Sequence, residues 1–233
     1  MTTGTHNPYF QVGLDVFGQR CLVLGGQDEA ADKSARLVAA GANVVVISPN
    51  VTLPISEAAQ RGELAWLPRD IDLDLDLEDT FLVMNTCRHE SEQVQRIFIA
   101  CRQHRILLNT YDEPDLSDFG MAALVDRGHL RISISSSNAS PTLAGKLRRN
   151  LESAFDEEFV EFIEQLGRIR REVRHQITDG AKRRALLRSL VDGFHLQTSV
   201  ELPPDWRKRL QQVMEEGDAV GSWQRLTSGK PGS

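Results

Sequence analysis

The sequence predicts an α/β fold: one open parallel sheet covered by helices, then a small β-hairpin and helix segment, then an α-helical C-terminal domain. Three observations predict it. Short apolar, β-branched runs alternate with helix-length stretches over residues 1–115, the pattern of a parallel sheet whose crossovers are helices. A glycine-bearing turn, "LGGQDEA", joins the first such run to the first helical stretch. After "YDEPD" the pattern changes to two strand-like runs about a glycine turn, and then to helix almost to the end.

"RCLVL" (20–24) reads as the first strand and "NVVVI" (43–47) as the second, with a helix over 30–40 between them that Gly41 stops. "ELAWL" (63–67), "FLVMN" (81–85) and "ILLNT" (106–110) supply three more strands, the last two flanking a helix through "EQVQRIFIACRQH". Before the fourth strand, Asp72, Asp74, Asp76 and Glu78 alternate with Leu73, Leu75 and Leu77. A calcium loop needs a glycine at the turn and this stretch has none, so its period of two predicts an edge strand or solvated loop. Strands over 121–125 and 130–135, with a tight turn at Asp126, Arg127 and Gly128, read as a hairpin. A lone hairpin is marginal in water, and pairing with a second copy would bury it, so residues 116–150 are expected to form a homodimerisation segment. Helices are expected over 142–155, continuing to about 175, then over 181–194 and 205–214, with a disordered tail at 226–233. The domains read as 1–115, 116–150 and 151–225.

The chain has 233 residues, 40% of them hydrophobic, enough for one substantial core and a smaller one. It has no run of about 18 apolar residues, and its N-terminus lacks the basic and apolar regions of a signal peptide, so a cytoplasmic protein without a membrane partner is expected. A net charge of −6 and a pI near 5.6 argue against nucleic acid as a partner, because phosphate binding needs a basic face. The cysteines Cys21, Cys87 and Cys101 are odd in number and lack paired spacing, which predicts reduced thiols. No metal site is expected from these or from the histidines, none of which has ligand spacing.

The turn after the first strand carries the first candidate chemistry. A dinucleotide-binding, Rossmann-like turn needs a glycine to leave the strand, a second for close approach to the pyrophosphate, and a small residue for helix packing. Gly25, Gln27 and Ala30 hold these places, and Ser48 stands where an acid usually binds the ribose. The turn alone is compatible either with an anion at the helix start or with a helix cap and no cofactor. If a dinucleotide binds, the candidate residues are Gly25, Gly26, Gln27, Asp28, Glu29 and Ala30, with Ser48, Pro49, Asn85, Thr86 and Asn109 at the other strand ends.

Three stretches together carry a resemblance. "CLVLGGQDEAADKSARLVAAGANVVVISP", "LLNTYDEPDLSDF" and "ISISSSNASPTLAGKLRRNLE" resemble, in order and spacing, the precorrin-2 dehydrogenase family, the first module of siroheme synthases and its stand-alone relatives. The likeness covers roughly residues 9–151 and departs from the family at Gln27, Asn138, Ala122 and "NTCRH". It implies a Rossmann-like fold, a homodimer, NAD as cofactor, and oxidation of the tetrapyrrole precorrin-2 to sirohydrochlorin in siroheme biosynthesis. Some relatives also insert ferrous iron. Asp112, just past the fifth strand at the carboxyl edge of the sheet, reads as a general base or as a turn aspartate before Pro114, and the likeness favours the base. By the same likeness Ser135 meets the substrate, with Ser136 and Asn138 of the same turn as further candidates. Ser140 with Pro141 reads independently as a helix cap. The basic residues Arg168, Arg170, Arg171, Arg174, Lys182, Arg183, Arg184 and Arg188 fit either steering of a polyanion or a solvated helix face. Two further functions stay open at this point: a nucleotide-sensing regulatory domain, and a non-catalytic tetrapyrrole-binding protein in which Gln27 has abolished cofactor binding.

Overall fold

A computed structural model of the chain describes residues 10–87, 91–137, 139–197, 199–200 and 202–208. Five parallel strands form one sheet: β1 (Arg20–Leu24), β2 (Asn43–Ile47), β3 (Ala65–Leu67), β4 (Leu82–Asn85) and β5 (Leu107–Thr110), in the order β3-β2-β1-β4-β5. The crossovers are α1 (Asp28–Ala39), α2 (Leu53–Gln60), α3 (Leu73–Asp76) and α4 (Ser91–His104). The strands are apolar at nearly every buried position, Asn85 and Thr110 at the carboxyl ends of β4 and β5 being the exceptions. Cys21, Val23, Val44 and Val46 pack with Ala30, Leu37 and Ile55 on one face, and Leu22, Leu24, Ile47 and Val83 pack with Ile97 and Cys101 on the other. A parallel sheet covered on both faces has this composition. Strand order reverses direction between β1 and β4, so a crevice opens at their carboxyl ends, where open α/β sheets bind ligands.

A two-stranded antiparallel sheet follows, β6 (Ala123–Arg127) and β7 (Leu130–Ile134), and then α5 (Pro141–Ala154), α6 (Glu157–Gln176) and α7 (Gly180–Ser189). The chain divides into two compact units between Gly167 and Arg168. The first holds the sheet, the hairpin and α5. Among the described residues no helix is long and apolar enough to cross a membrane.

Several elements differ from the sequence reading. The stretch about Asp72–Glu78 is neither strand nor plain loop but the short helix α3. Asp72 caps it, accepting from the N–H of Asp74 (3.1 Å) and Leu75 (3.4 Å). Asp76 turns inward, only 3% exposed, and takes both arms of Arg69 at 2.6 and 2.7 Å as well as the N–H of Asp72 at 2.8 Å. A period of two cannot register an aspartate that has been neutralised in this way. The helix α2 was not expected; Pro54 inside its first turn and Thr52 before it were its signals. In the hairpin, β6 runs on through Arg127 and the loop is Gly128-His129, because Gly128 at φ +61 takes the left-handed place and Arg127 donates to the carbonyl of Glu152 at 2.8 and 3.1 Å. The helix from 142 breaks at Phe155, where Asp156 caps α6 by accepting from the N–H of Phe159 at 3.0 Å and Glu157 and Glu158 follow in the first turn. α7 ends at Ser189 rather than 194. Most of the helix expected over 205–214, and the whole tail at 226–233, lie outside the described residues.

Candidate functional site

The carboxyl edge of the sheet brings the turn after β1, the end of β4 and the loop after β5 side by side. Gly25 leaves β1 at φ +107, and a Cβ there would stand 2.6 Å from Thr86 Oγ1 and 2.9 Å from Cys87 Sγ. A Cβ on Gly26 would overlap the carbonyl of Asn50, whose loop is also held by the Thr52 N–H donating to the Gly26 carbonyl at 2.8 Å. Both glycines are therefore required by close approach of protein backbone and side chains.

Gln27 is the N-cap of α1 in an ordinary extended conformation (φ −88, ψ −172), with its side chain exposed and making no capping bond. The position demands no left-handed backbone, so a glutamine is accepted without strain. Asp28 and Glu29 fill the first turn; Glu29 pairs with Lys33 at 2.7 Å, and Ala30 is fully buried against the sheet. A helix start without a side-chain cap leaves first-turn amides to a ligand, and an anion is the ligand these amides prefer. A second feature fits a cofactor here. Asn85, 1% exposed at the end of β4, spends its Oδ1 on the Cys87 N–H (3.3 Å), while its Nδ2 has no partner. A buried donor left unpaired costs on the order of 1–3 kcal/mol, so a ligand that accepts from it is favoured. The residues present thus fit a dinucleotide.

Other expected cofactor residues have structural partners already. Ser48 donates its hydroxyl to the Asn50 carbonyl at 2.7 Å and accepts the Trp66 indole N–H on its carbonyl at 2.9 Å. Pro49 is exposed beside it. Thr86 Oγ1 latches to the Leu24 carbonyl at 2.8 Å, and Asn109 Nδ2 donates to the Phe119 carbonyl at 2.8 Å. Burial pushes the half-buried Cys87 thiol up to about 11, with the charge of Asp70 adding to it; burial likewise puts Cys21 at about 11 and, helped by Asp118, Cys101 at about 12.

Asp112 is exposed and left-handed, at φ +59, two residues past β5. The preceding Tyr111 N–H donates to the Asn85 carbonyl at 2.8 Å, so Asp112 follows the residue that closes the β4–β5 pairing. The strand it follows, β5, lies two strand spacings, about 10 Å, from β1.

The serine turn lies elsewhere in the same unit. Ser135 and Ser136 line a groove of about 490 Å³ with Lys33 and Arg36 of α1, Arg148 of α5 and Asp126 of β6. Ser136 Oγ accepts the Ser140 N–H at 3.0 Å, Ser135 Oγ accepts that of Ser137 at 3.1 Å, and Ser140 caps α5 as expected. Asn138 lies outside the described residues. Asp112 does not line this groove. The cations Lys33, Arg36 and Arg148 were not singled out as ligands from sequence; the spacing of Lys33 and Arg36 on one helix face was the available signal. Each is balanced: Lys33 by Glu29 and Asp32, Arg36 by Asp32, Arg148 by Glu152. A larger hollow, about 740 Å³ between α3 and α4, holds none of the expected site residues. Among the described residues no three His, Cys, Asp or Glu side chains are grouped as metal ligands.

Comparison with known proteins gives three results. Residues 12–123 match a family described as "Putative NAD(P)-binding". The siroheme synthase of Nitrosospira multiformis is 31% identical over 189 residues, which cover 79% of this chain and 40% of that protein, and the siroheme synthase of Methylococcus capsulatus is 28% identical over 217 residues, covering 93% and 45%. The chain thus spans less than half the length of these relatives. A solved structure described as "SirC, precorrin-2 dehydrogenase" superposes with a TM-score of 0.67 at 24% identity, covering 89% of this chain and 100% of that one, which establishes the shared fold.

Proposed function

We propose that the chain belongs to the precorrin-2 dehydrogenase family and that it oxidises precorrin-2 to sirohydrochlorin with NAD as cofactor, a step of siroheme biosynthesis. The macrocycle loses two hydrogens, one as hydride and one as proton. NAD, when bound, supplies the hydride acceptor. The protein's part is to bind, orient and take the proton. The open amides at the start of α1 and the unpaired Asn85 Nδ2 receive the dinucleotide at the β1–β4 crevice. Asp112 accepts the proton.

The observation that carries this reading is the conformation of Asp112. An exposed aspartate held at φ +59 beside the carboxyl end of β4 is a conformation that surrounding structure must maintain, and such positions concentrate at active sites. Carboxylates of the tetrapyrrole are taken to meet the serine turn and the groove of Lys33, Arg36 and Arg148, whose pairing with Glu29, Asp32 and Glu152 is exchangeable for pairing with substrate. In this reading the protein is a cytoplasmic homodimer joined through the hairpin and α5; Met121, Leu143 and Leu147, which are 42%, 52% and 40% exposed, support such an apolar contact. The test is purified protein with precorrin-2 and NAD⁺, followed by the absorbance of sirohydrochlorin. Product formation that disappears in Asp112→Asn supports the reading. No product from the wild type would sink it.

A further inference from the structure

We infer that Ser117 is a positioning residue: its hydroxyl bridges the backbone on either side of Asp112 and holds the carboxylate in its left-handed setting. The inference rests on Asp112 being the base proposed above. Thr110 precedes Asp112 by two residues and Glu113 follows it. Ser117 Oγ accepts the Thr110 N–H at 2.9 Å and donates to the Glu113 carbonyl at 2.8 Å, so one hydroxyl spans the pair Tyr111-Asp112. The span is reinforced by the Glu113 N–H donating to the Thr110 carbonyl at 3.3 Å and by Thr110 Oγ1 donating to the Leu116 carbonyl at 3.0 Å. Thr110 is 4% exposed, so loss of the hydroxyl leaves its N–H without a partner in a dry place. The cheapest relief is for the turn to open. Aspartate tolerates the left-handed region better than most residues but still favours negative φ, so an opened turn releases Asp112 and swings its carboxylate away.

A plainer role for Ser117 is to cover the outer edge of β5, which has no neighbouring strand among the described residues. Asp118 separates the two roles. It covers the same edge two residues earlier, its Oδ2 accepting the Leu108 N–H at 2.9 Å and its N–H donating to the Leu108 carbonyl at 2.7 Å, yet it does not span Asp112. If edge cover were all, Ser117→Ala and Asp118→Ala, each of which removes the acceptor of a β5 N–H, would act alike.

The experiment compares Ser117→Ala, Ser117→Thr, Asp118→Ala and Asp112→Asn in the full chain, by steady-state oxidation of precorrin-2 and by calorimetric titration with NAD⁺. Ser117→Ala is expected to lower kcat by about 10- to 100-fold, the cost of a misplaced reacting group, with KM for precorrin-2 and NAD⁺ affinity unchanged. Ser117→Thr keeps the hydroxyl and restores kcat. Asp118→Ala, which loses the Leu108 acceptor and the ion pair with Arg102, lowers the melting temperature and leaves kcat at the wild-type value. Should Ser117→Ala be insoluble, Ser117→Cys, of similar shape with a weak donor, carries the same expectation. Wild-type kcat in Ser117→Ala, or a Ser117→Thr as slow as Ser117→Ala, overturns the inference while leaving Asp112 in place. Full activity in Asp112→Asn removes the base itself, a separate and recognisable failure.

Discussion

Replacing Asp112 by asparagine removes a carboxylate and almost nothing else, which makes it the sharpest test of the site. At φ +59 most side chains are strained, but asparagine and aspartate are both enriched in the left-handed region, so the turn of Asp112→Asn keeps its backbone. The residue is exposed, and no burial is lost. The expected change is therefore confined to proton removal: a general base contributes about 10²- to 10⁴-fold, or about 3–5 kcal/mol of barrier at 1.36 kcal/mol per decade. Asp112→Ala loses the same catalysis and also incurs about 1–2 kcal/mol of left-handed strain, enough to lower the melting temperature of a chain this long by several degrees. The assay is kcat from sirohydrochlorin absorbance together with melting curves of both variants and NAD⁺ titration of each. The reasoning predicts equal kcat losses, unequal melting temperatures and unchanged NAD⁺ affinity. Wild-type kcat in Asp112→Asn, or melting temperatures of the two variants that coincide, would refute it.

Other consequences are equally direct. Gly26→Ala forces a methyl into the Asn50 carbonyl and is expected to destabilise by about 1–3 kcal/mol, read as a lower melting temperature. Gln27→Gly removes an exposed side chain from an unstrained cap, so calorimetry is expected to find NAD⁺ affinity little changed; a large gain would mean that the glutamine obstructs the phosphate site. The Arg69 hydrogen bonds beside Asp76 hold its carboxyl below the usual range, with the Asp72 N–H assisting and burial opposing. A depressed acid stabilises the fold above its unfolded pKa of about 3.9 and loses that contribution as pH falls through the lower folded value, so the melting temperature is expected to drop below about pH 4, and Asp76→Asn to flatten that part of the profile. Cys87, at about 11, and Cys101, at about 12, are neutral thiols at pH 8, so iodoacetamide is expected to label them slowly in the folded protein and quickly in urea.

The sheet was legible because its signal is redundant. β1, β2 and β4 are buried on both faces, so nearly every position is apolar and the runs stand out whatever the register. α3 was not legible for the opposite reason: its decisive events are an aspartate cap and an aspartate folded inward onto Arg69, and alternation of acid with leucine records neither. The hairpin was found but set two residues early in its first strand, since Asp126 and Arg127 look like turn residues until the Arg127 bonds to Glu152 are known. Asp112 was legible as a position past β5; its left-handed backbone and the Ser117 bridge were not, because both arise from a chain that doubles back on an edge strand. The groove of Lys33, Arg36 and Arg148 joins residues more than a hundred positions apart, and no local pattern anticipates it.

The two glycines of the turn bear on the cofactor less directly than their pattern suggests. Gly25 is fixed by Thr86 and Cys87, and Gly26 by Asn50, contacts that any chain with this crossover would need whether or not it held a dinucleotide. The place where a glycine would serve the phosphate alone is position 27, and there the backbone is extended and the side chain faces solvent. A glycine count therefore measures packing of the first crossover, and Gln27 is weak ground for inferring lost binding. The features that speak to a ligand are those the protein leaves incomplete: a helix start with no side-chain cap, and an Asn85 amide buried without a partner one strand away. Asn85→Ala removes that unpaired donor, and with it the Oδ1 bond to the Cys87 N–H and a buried side chain, so the melting temperature is expected to fall in either case. If the amide serves only the fold, the folded variant binds NAD⁺ as well as wild type does. If it serves the cofactor, affinity falls by about 10-fold, the worth of one hydrogen bond. Calorimetry at a temperature where the melting curve shows the variant folded separates these outcomes, and unchanged affinity would remove Asn85 from the cofactor site.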